Sequence, residues 1–280
     1  MAKNTRREQR KPSRGRRGGE RSPASTTAAR SGRELLYGRQ PIRELLRAGR
    51  RRTNCLYVLS SIRPTPEIDE ILERAAARGV RLEYSSAEAL ENLVGEVNHQ
   101  GLVADVHPFR YVSYKKMLSD AEQNKESFFL FLDHLEDPQN VGSLLRTAEA
   151  AGVTGVVIPS HRAVGITPAV VRASAGAAEH MSIAQVPNLV RCMKLLKEER
   201  RGVWFAGLDA GEDAAPISEV DLTGPIGIVV GSEGKGMRRM VRETCDYIVK
   251  LPMCGKVSSL NAGVAGAIAM FEILRQRSVK

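Results

Sequence analysis

Three stretches of the chain bring together residue types that can do chemistry. The first is Asp137-Pro138-Gln139-Asn140-Val141-Gly142-Ser143-Leu144-Leu145-Arg146. An aspartate followed by proline starts a helix, because the carboxylate caps free N–H groups and proline's fixed φ suits the first turn. Val141, Leu144, Leu145 and Ala148 then form the buried stripe, which leaves Arg146 at the rim of the packed face. Gly142, one turn earlier, is expected to leave room above that arginine. Such an arginine is either a partner in a surface ion pair or a cation directed at a ligand.

The second stretch, Gly231-Ser232-Glu233-Gly234-Lys235-Gly236, follows an apolar run and leads toward a further helix. Its spacing is neither GxGxxG nor GxxxxGK[ST], so dinucleotide and phosphate loops are set aside. Glycines here let the backbone approach a flat or bulky ligand, with Glu233 as the one carboxylate of the turn. The plain alternative is a tight turn with a solvated glutamate. The third stretch is Leu251-Pro252-Met253-Cys254-Gly255-Lys256-Val257-Ser258-Ser259-Leu260-Asn261, ahead of an apolar helix beginning at Ala262. Ser259 or Asn261 can cap that helix. Capping does not explain the apolar Leu-Pro-Met run, whose backbone groups and wall suit a neutral aromatic base.

The elements that must position these residues alternate. Periodicity predicts strands over 128–132, 155–158, 182–186, 203–206, 226–230 and 247–250, with helices over 139–151, 188–199 and 262–276 between them. Strands alternating with helices make a parallel sheet covered on both faces. Ligands on such sheets bind at the carboxyl ends of strands, where all three stretches fall. Ahead of this unit, helices over 41–48, 67–78 and 87–93 alternate with strands over 55–59, 80–84 and 102–106. The organisation read from the chain is a tail over 1–33, a small α/β unit over 34–108, a linker over 109–127 and an α/β domain over 128–280.

The net charge of +10 is not spread evenly. Residues 1–33 carry eleven Lys/Arg and two acids, whereas the remaining 247 residues carry 31 basic and 30 acidic side chains. The basicity is therefore a tail, too poor in large apolar residues to order itself. Its RGRRGG segment has the character of arginine-rich RNA-binding sequences. Four scattered cysteines make no CxxC pair or Cys/His cluster, so neither a metal site nor a disulfide framework is expected. No run is long and apolar enough for a membrane span, and the N-terminus lacks the apolar core of a signal peptide. The expected location is the cytoplasm.

NVGSLLRTAEAAGV, VVGSEGKGM and LPMCGKVSSLN, in this order and spacing, resemble the three motifs of the SpoU (TrmH-like) family of SPOUT methyltransferases. The resemblance covers roughly residues 128–277. In the first unit, YGRQPIRELLRAG and VNHQGLVADV resemble the bacterial large-subunit ribosomal RNA guanosine-2′-O-methyltransferases of that family. The resemblance implies a deep trefoil knot in the C-terminal domain, a homodimer, and S-adenosylmethionine (AdoMet) as cofactor. It implies that Gly231, Leu251, Pro252, Met253 and Leu260 hold AdoMet, and that Arg146, Asn140, Glu233, Ser259 and Asn261 form the catalytic set. Its substrate would be large-subunit (23S-type) ribosomal RNA, gripped by the first unit, with no metal and no membrane involved. Where the family continues Val-Ser after SLN, this chain has Ala262-Gly263, a change expected to alter helix packing more than chemistry.

Either Arg146 or Glu233 could serve as the base that accepts the ribose proton. Neutralising an arginine at pH 7 costs roughly 7–9 kcal/mol, so the expectation is that Arg146 grips a phosphate and orients the hydroxyl. Two rival readings are a transfer-RNA methyltransferase and a noncatalytic RNA-binding assembly protein that kept the fold. A degenerate relative would be expected to lose Arg146 or the SLN run, and this chain retains both.

Overall fold

The computed structural model of the chain describes residues 1, 32–122, 126–199, 202–257 and 259–279. The tail expected over 1–33 lies outside them apart from Met1, Gly32 and Arg33.

The first unit comprises β1 (Glu34–Tyr37), α1 (Arg39–Ala48), β2 (Thr53–Leu59), α2 (Pro66–Ala77), β3 (Arg81–Ser85), α3 (Ala87–Val94) and β4 (Leu102–Val106). They form a four-stranded sheet in the order β1-β4-β2-β3. β2 and β3 are parallel, and β4 runs antiparallel to both of its neighbours. Sequence periodicity identifies every one of these elements except β1. Four residues, ELLY, carry no usable alternation, and they become a strand because Glu34 to Tyr37 pair with Val106 to Val103. α1 starts without a capping side chain of its own. The Arg39 N–H is taken instead by Gln100 Oε1, 2.8 Å away, from the turn before β4.

The stretch read as a linker holds more structure than its composition predicts. It contains α4 (Tyr114–Glu122), whose Met117 and Leu118 are buried. Two adjacent apolar residues are too few to register as a helical period. Met117 nonetheless packs where Gly155 lacks a side chain, since a Cβ there would lie 2.6 Å from its sulfur. The Val112 N–H also donates to the Ile183 carbonyl at 2.9 Å.

The second unit runs β5 (Phe128–Asp133), α5 (Pro138–Ala150), β6 (Gly155–Pro159), α6 (Pro168–Ala173), β7 (Ile183–Val186), α7 (Leu189–Glu199), β8 (Trp204–Leu208), β9 (Ala215–Pro216), β10 (Ile226–Gly231), α8 (Arg239–Thr244), β11 (Tyr247–Lys250) and α9 (Ala262–Ser278). Its sheet has the order β7-β6-β5-β10-β8-β11-β9, with every neighbouring pair parallel. β5 shows why its sequence is apolar from Phe128 to Leu132. Phe128, Leu130 and Leu132 join the core beneath α5 and α9, while Phe129 and Phe131 join a second core with Met117, Leu189 and Met193. Both faces are covered, and each such side chain contributes about 1.5–3 kcal/mol of burial. α9 approaches α5 closely because Gly266 has no side chain, where a Cβ would lie 2.3 Å from Leu144 Cδ2.

A polar seam joins the two units. Arg51, only 1% exposed, bonds Glu179 at 2.8 Å and Glu34 at 2.6 Å. It also donates to the His107 carbonyl. His180 Nε2 meets Glu44 Oε2 at 2.8 Å, and the Arg172 guanidinium lies 4.9 Å from the centre of the Tyr37 ring.

Candidate functional site

Sheet order, rather than chain order, builds the site. β10, β8 and β11 are neighbours, so the loops leaving their carboxyl ends converge on one cavity of about 540 Å³. β10 also neighbours β5, and the helix after β5 carries the first motif.

The glycine turn after β10 is closed by its own backbone. The Ser232 N–H donates to the Gly236 carbonyl at 3.1 Å, and the Gly236 N–H returns to the Ser232 carbonyl at 2.9 Å. Gly234 (φ 76°) and Gly236 (φ 64°) lie in the left-handed region that side chains disfavour. A Cβ on Gly231 would lie 2.3 Å from both Gly236 C and Met237 N. The returning chain therefore occupies the space above Gly231 that the glycine spacing suggested for a ligand. Past the turn, the Arg238 N–H donates to Asp133 Oδ2 at 2.6 Å. Asp133 is fully buried at the end of β5, and its other oxygen meets His134 Nδ1. The helix expected after the turn begins only at Arg239, as α8.

Asn261 ties the three motifs together. Its Oδ1 accepts the Val264 N–H at 3.2 Å and caps α9. Its Nδ2 donates to Asn140 Oδ1 at 2.8 Å and also to Glu233 Oε1. One side-chain amide thus joins α5, the glycine turn and the cap of α9, with both of its amide hydrogens used. Gly263 adjoins this junction, since a Cβ there would stand 3.1 Å from Asn261 Oδ1 and 3.4 Å from Asn140 Oδ1. The Ala262-Gly263 departure therefore touches the polar centre as well as helix packing.

Gly231, Leu251, Met253 and Leu260 line the cavity, as do Glu233, Ser259 and Asn261, whereas Pro252 does not. Asn140 is buried behind the junction. Arg146 is exposed on α5, outside the cavity lining, and among the described residues its guanidinium makes no hydrogen bond or ion pair. Gly142 does not create room above it. A Cβ at Gly142 would lie 2.3 Å from Ala173 Cβ and 2.8 Å from Ala173 C, so this glycine seats α6 against α5.

Sequence reasoning missed Asp209, at the end of β8, and gave no role to Lys235, although both line the cavity. The strand-end rule that located the other loops applies equally to Leu208-Asp209. Asp209 accepts from Arg242 Nε at 3.2 Å, and Arg242 also holds the Asp213 carboxyl below its ordinary range. A second unread feature is the outer face of α9. Val264, Ile268 and Phe271 are 44–50% exposed at helical spacing, opposite buried Gly266, Ala269, Met270 and Ile273.

Among the described residues no group of three His, Cys, Asp or Glu side chains could hold a metal ion, and no helix is long and apolar enough to cross a membrane. Residues 127–271 match the SpoU rRNA methylase family, and residues 35–112 match the RNA 2′-O ribose methyltransferase substrate-binding family. The chain is 42% identical over 250 residues to a putative TrmH family tRNA/rRNA methyltransferase of Bacillus subtilis, covering 88% of this chain and 96% of that one. It is 40% identical over 244 residues to a 23S rRNA (guanosine-2′-O-)-methyltransferase of Vibrio cholerae, covering 87% and 97% respectively. In fold it is similar to the SpoU methyltransferase AviRb from Streptomyces viridochromogenes, solved in complex with AdoMet. The TM-score is 0.75 at 23% identity, over 92% of this chain and 96% of that one.

Proposed function

This chain belongs to the SpoU rRNA methylase family, and from that premise we propose that it transfers a methyl group from AdoMet to a guanosine ribose 2′-hydroxyl of large-subunit ribosomal RNA. The observation that carries this reading is the Asn140–Asn261–Glu233 junction at a cavity formed by strand ends. About 540 Å³ falls in the range of small-molecule sites, and the lining suits AdoMet. Leu251, Met253 and Leu260 offer an apolar wall to an adenine ring. Asp209 and Glu233 favour a cationic sulfonium, and Lys235 favours a carboxylate.

Bound there, AdoMet supplies an electrophilic methyl group. Displacement is in-line, so holding the ribose oxygen in place contributes roughly 7–11 kcal/mol. Asn261 holds the Glu233 carboxylate, which would accept the 2′-hydroxyl proton of a ribose placed beside bound AdoMet. A placed base of this kind adds about 10²–10⁴-fold. Arg146, whose guanidinium is uncommitted, grips the phosphate beside the target ribose and orients the hydroxyl.

The same reading includes a homodimer, a trefoil-knotted second unit and a cytoplasmic location. The exposed Val264-Ile268-Phe271 stripe supports a dimer closing on α9. Because Arg146 does not line its own cavity, closure on this face would let it serve the cavity of the other protomer. The first unit grips RNA, in keeping with its substrate-binding family.

Incubation of the purified chain with AdoMet and large-subunit ribosomal RNA, followed by mapping of 2′-O-methyl marks, tests the proposal. One guanosine mark that depends on Glu233 and Arg146 is expected. Titration calorimetry showing no micromolar-range AdoMet binding would overturn it in favour of a noncatalytic RNA-binding role.

A further inference from the structure

α1 ends at Gly49 (φ 62°), and α2 gives way at Gly79 (φ 66°). Each glycine turns the chain in a geometry that other residues disfavour, and each is flanked by arginines. The two turns face one another at the amino ends of β2 and β3, around a cavity of about 870 Å³. Arg50 and Arg52 line it from the first turn, Arg78 and Arg81 from the second, and Arg33 and Arg110 from outside the sheet. Arg78 lies across Gly49, with guanidinium atoms 2.2–2.4 Å from where a Cβ would stand, so only glycine lets this arginine lie there.

Little here neutralises the charge. Asp105 is the one carboxylate in the lining, and it is already engaged by Arg33 at 3.2 Å and by Asn54 Nδ2 at 3.0 Å. Arg81 meets an exposed Glu83, while Arg50 and Arg78 reach only the Met181 and Arg47 carbonyls. Arg52 and Arg110 are exposed, and among the described residues neither guanidinium makes a hydrogen bond or ion pair. None of these residues lines the methyl-transfer cavity, and the basic segment over 1–33 reaches the described structure here, at Arg33.

We propose that this arginine cradle clamps the phosphate backbone of the substrate RNA at a place separate from the methylated ribose, so that affinity depends on it and chemistry does not. The proposal rests on the reading of the chain as an RNA methyltransferase. Guanidinium forks match phosphate oxygens in pairs, and a lining dominated by arginines, whose one side-chain amide, Asn54, is already bonded to Asp105, reads charge rather than sequence.

The test uses the full chain, with Arg52→Glu/Arg110→Glu as the variant and Arg52→Gln/Arg110→Gln should the reversal fail to fold. The probes are a large-subunit ribosomal RNA transcript carrying the target and an unstructured uridylate homopolymer. About a tenfold weaker affinity for both probes is expected, with a salt slope shallower by about one for each phosphate no longer gripped. KM for RNA should rise, while kcat at saturating RNA and AdoMet affinity should stay at native values. Native affinity and salt slope in the variant would overturn the clamp, as would a fall in kcat without a change in affinity. A native chain that binds RNA but transfers no methyl sinks the functional reading and leaves the clamp to be judged on affinity. A native chain that binds neither probe sinks both.

Discussion

The seam between the units and the exposed face of α5 each carry an arginine, and the two are held in opposite ways. Arg51 is buried and bonded to Glu34, Glu179 and a carbonyl, so that its charge is already met by two carboxylates. Arg146 is exposed, and its guanidinium bonds nothing among the described residues. The identity of an arginine therefore says little about its work, whereas its partners say a great deal. A cation engaged by carboxylates in a low-dielectric setting is structural, and an exposed, uncommitted one is available to a ligand.

Breaking the seam should have the largest effect. Arg51→Met leaves Glu179 buried without its cation and is expected to cost about 3–5 kcal/mol in urea unfolding. AdoMet affinity of the molecules that remain folded should be native. Loss of cofactor binding with unchanged stability would reverse the assignment of roles. On α5, Arg146→Ala should lower single-turnover methylation by roughly 10²–10³-fold, the scale of losing one placed donor. Its melting temperature should not move, and near-normal transfer by Arg146→Lys would remove any need for a guanidinium.

Asn261→Ala stands between the two, because this side chain both caps α9 and holds Glu233. Cap loss predicts about 1 kcal/mol in thermal unfolding. A larger fall in kcat than that destabilisation explains would separate its second role.

The smallest effects sharpen the comparison through pH. Burial pushes the Glu179 carboxyl up, and Arg51 pulls it back only in part. The folded state then holds a proton that the unfolded state releases, so stability declines as pH rises from the ordinary carboxylate range through the raised value. Glu70 is the reverse case, held down to about 2 by hydrogen bonds from Arg47, Arg74 and Arg43 on the surface. Its contribution is complete above the ordinary carboxylate value and is lost as pH falls toward 2. Denaturant titrations should show Glu179→Gln flattening the upper limb and Glu70→Gln the lower, and the opposite pattern would refute the assignment.

Much of the fold is legible because burial leaves a local signature. FFLFL must be apolar throughout when both sheet faces are covered, and the Asp137-Pro138 start of α5 is written in adjacent residues, with Asp137 accepting the Gln139 and Asn140 N–H groups. β1 and the burial of α4 carry no such signature. Their stability comes from partners far along the chain, Val103 to Val106 for one and Gly155 for the other. Glycines show the same division. Their presence at 142 and 231 marks close approach, yet only the structure identifies what approaches, namely α6 and the turn's own backbone.

The sequence by itself determined the residues available for chemistry, the strands they follow and the location of the basic charge, since these depend on composition and local period. Tertiary structure alone decided that β10, β8 and β11 stand side by side, that Asn261 reaches both Asn140 and Glu233, and that Arg146 is left uncommitted. Strand order and side-chain pairing are set by contacts between residues far apart in the chain, from 28 positions for Asn261–Glu233 to 121 for Asn261–Asn140, and no local pattern encodes which distant group will fill a given hydrogen bond.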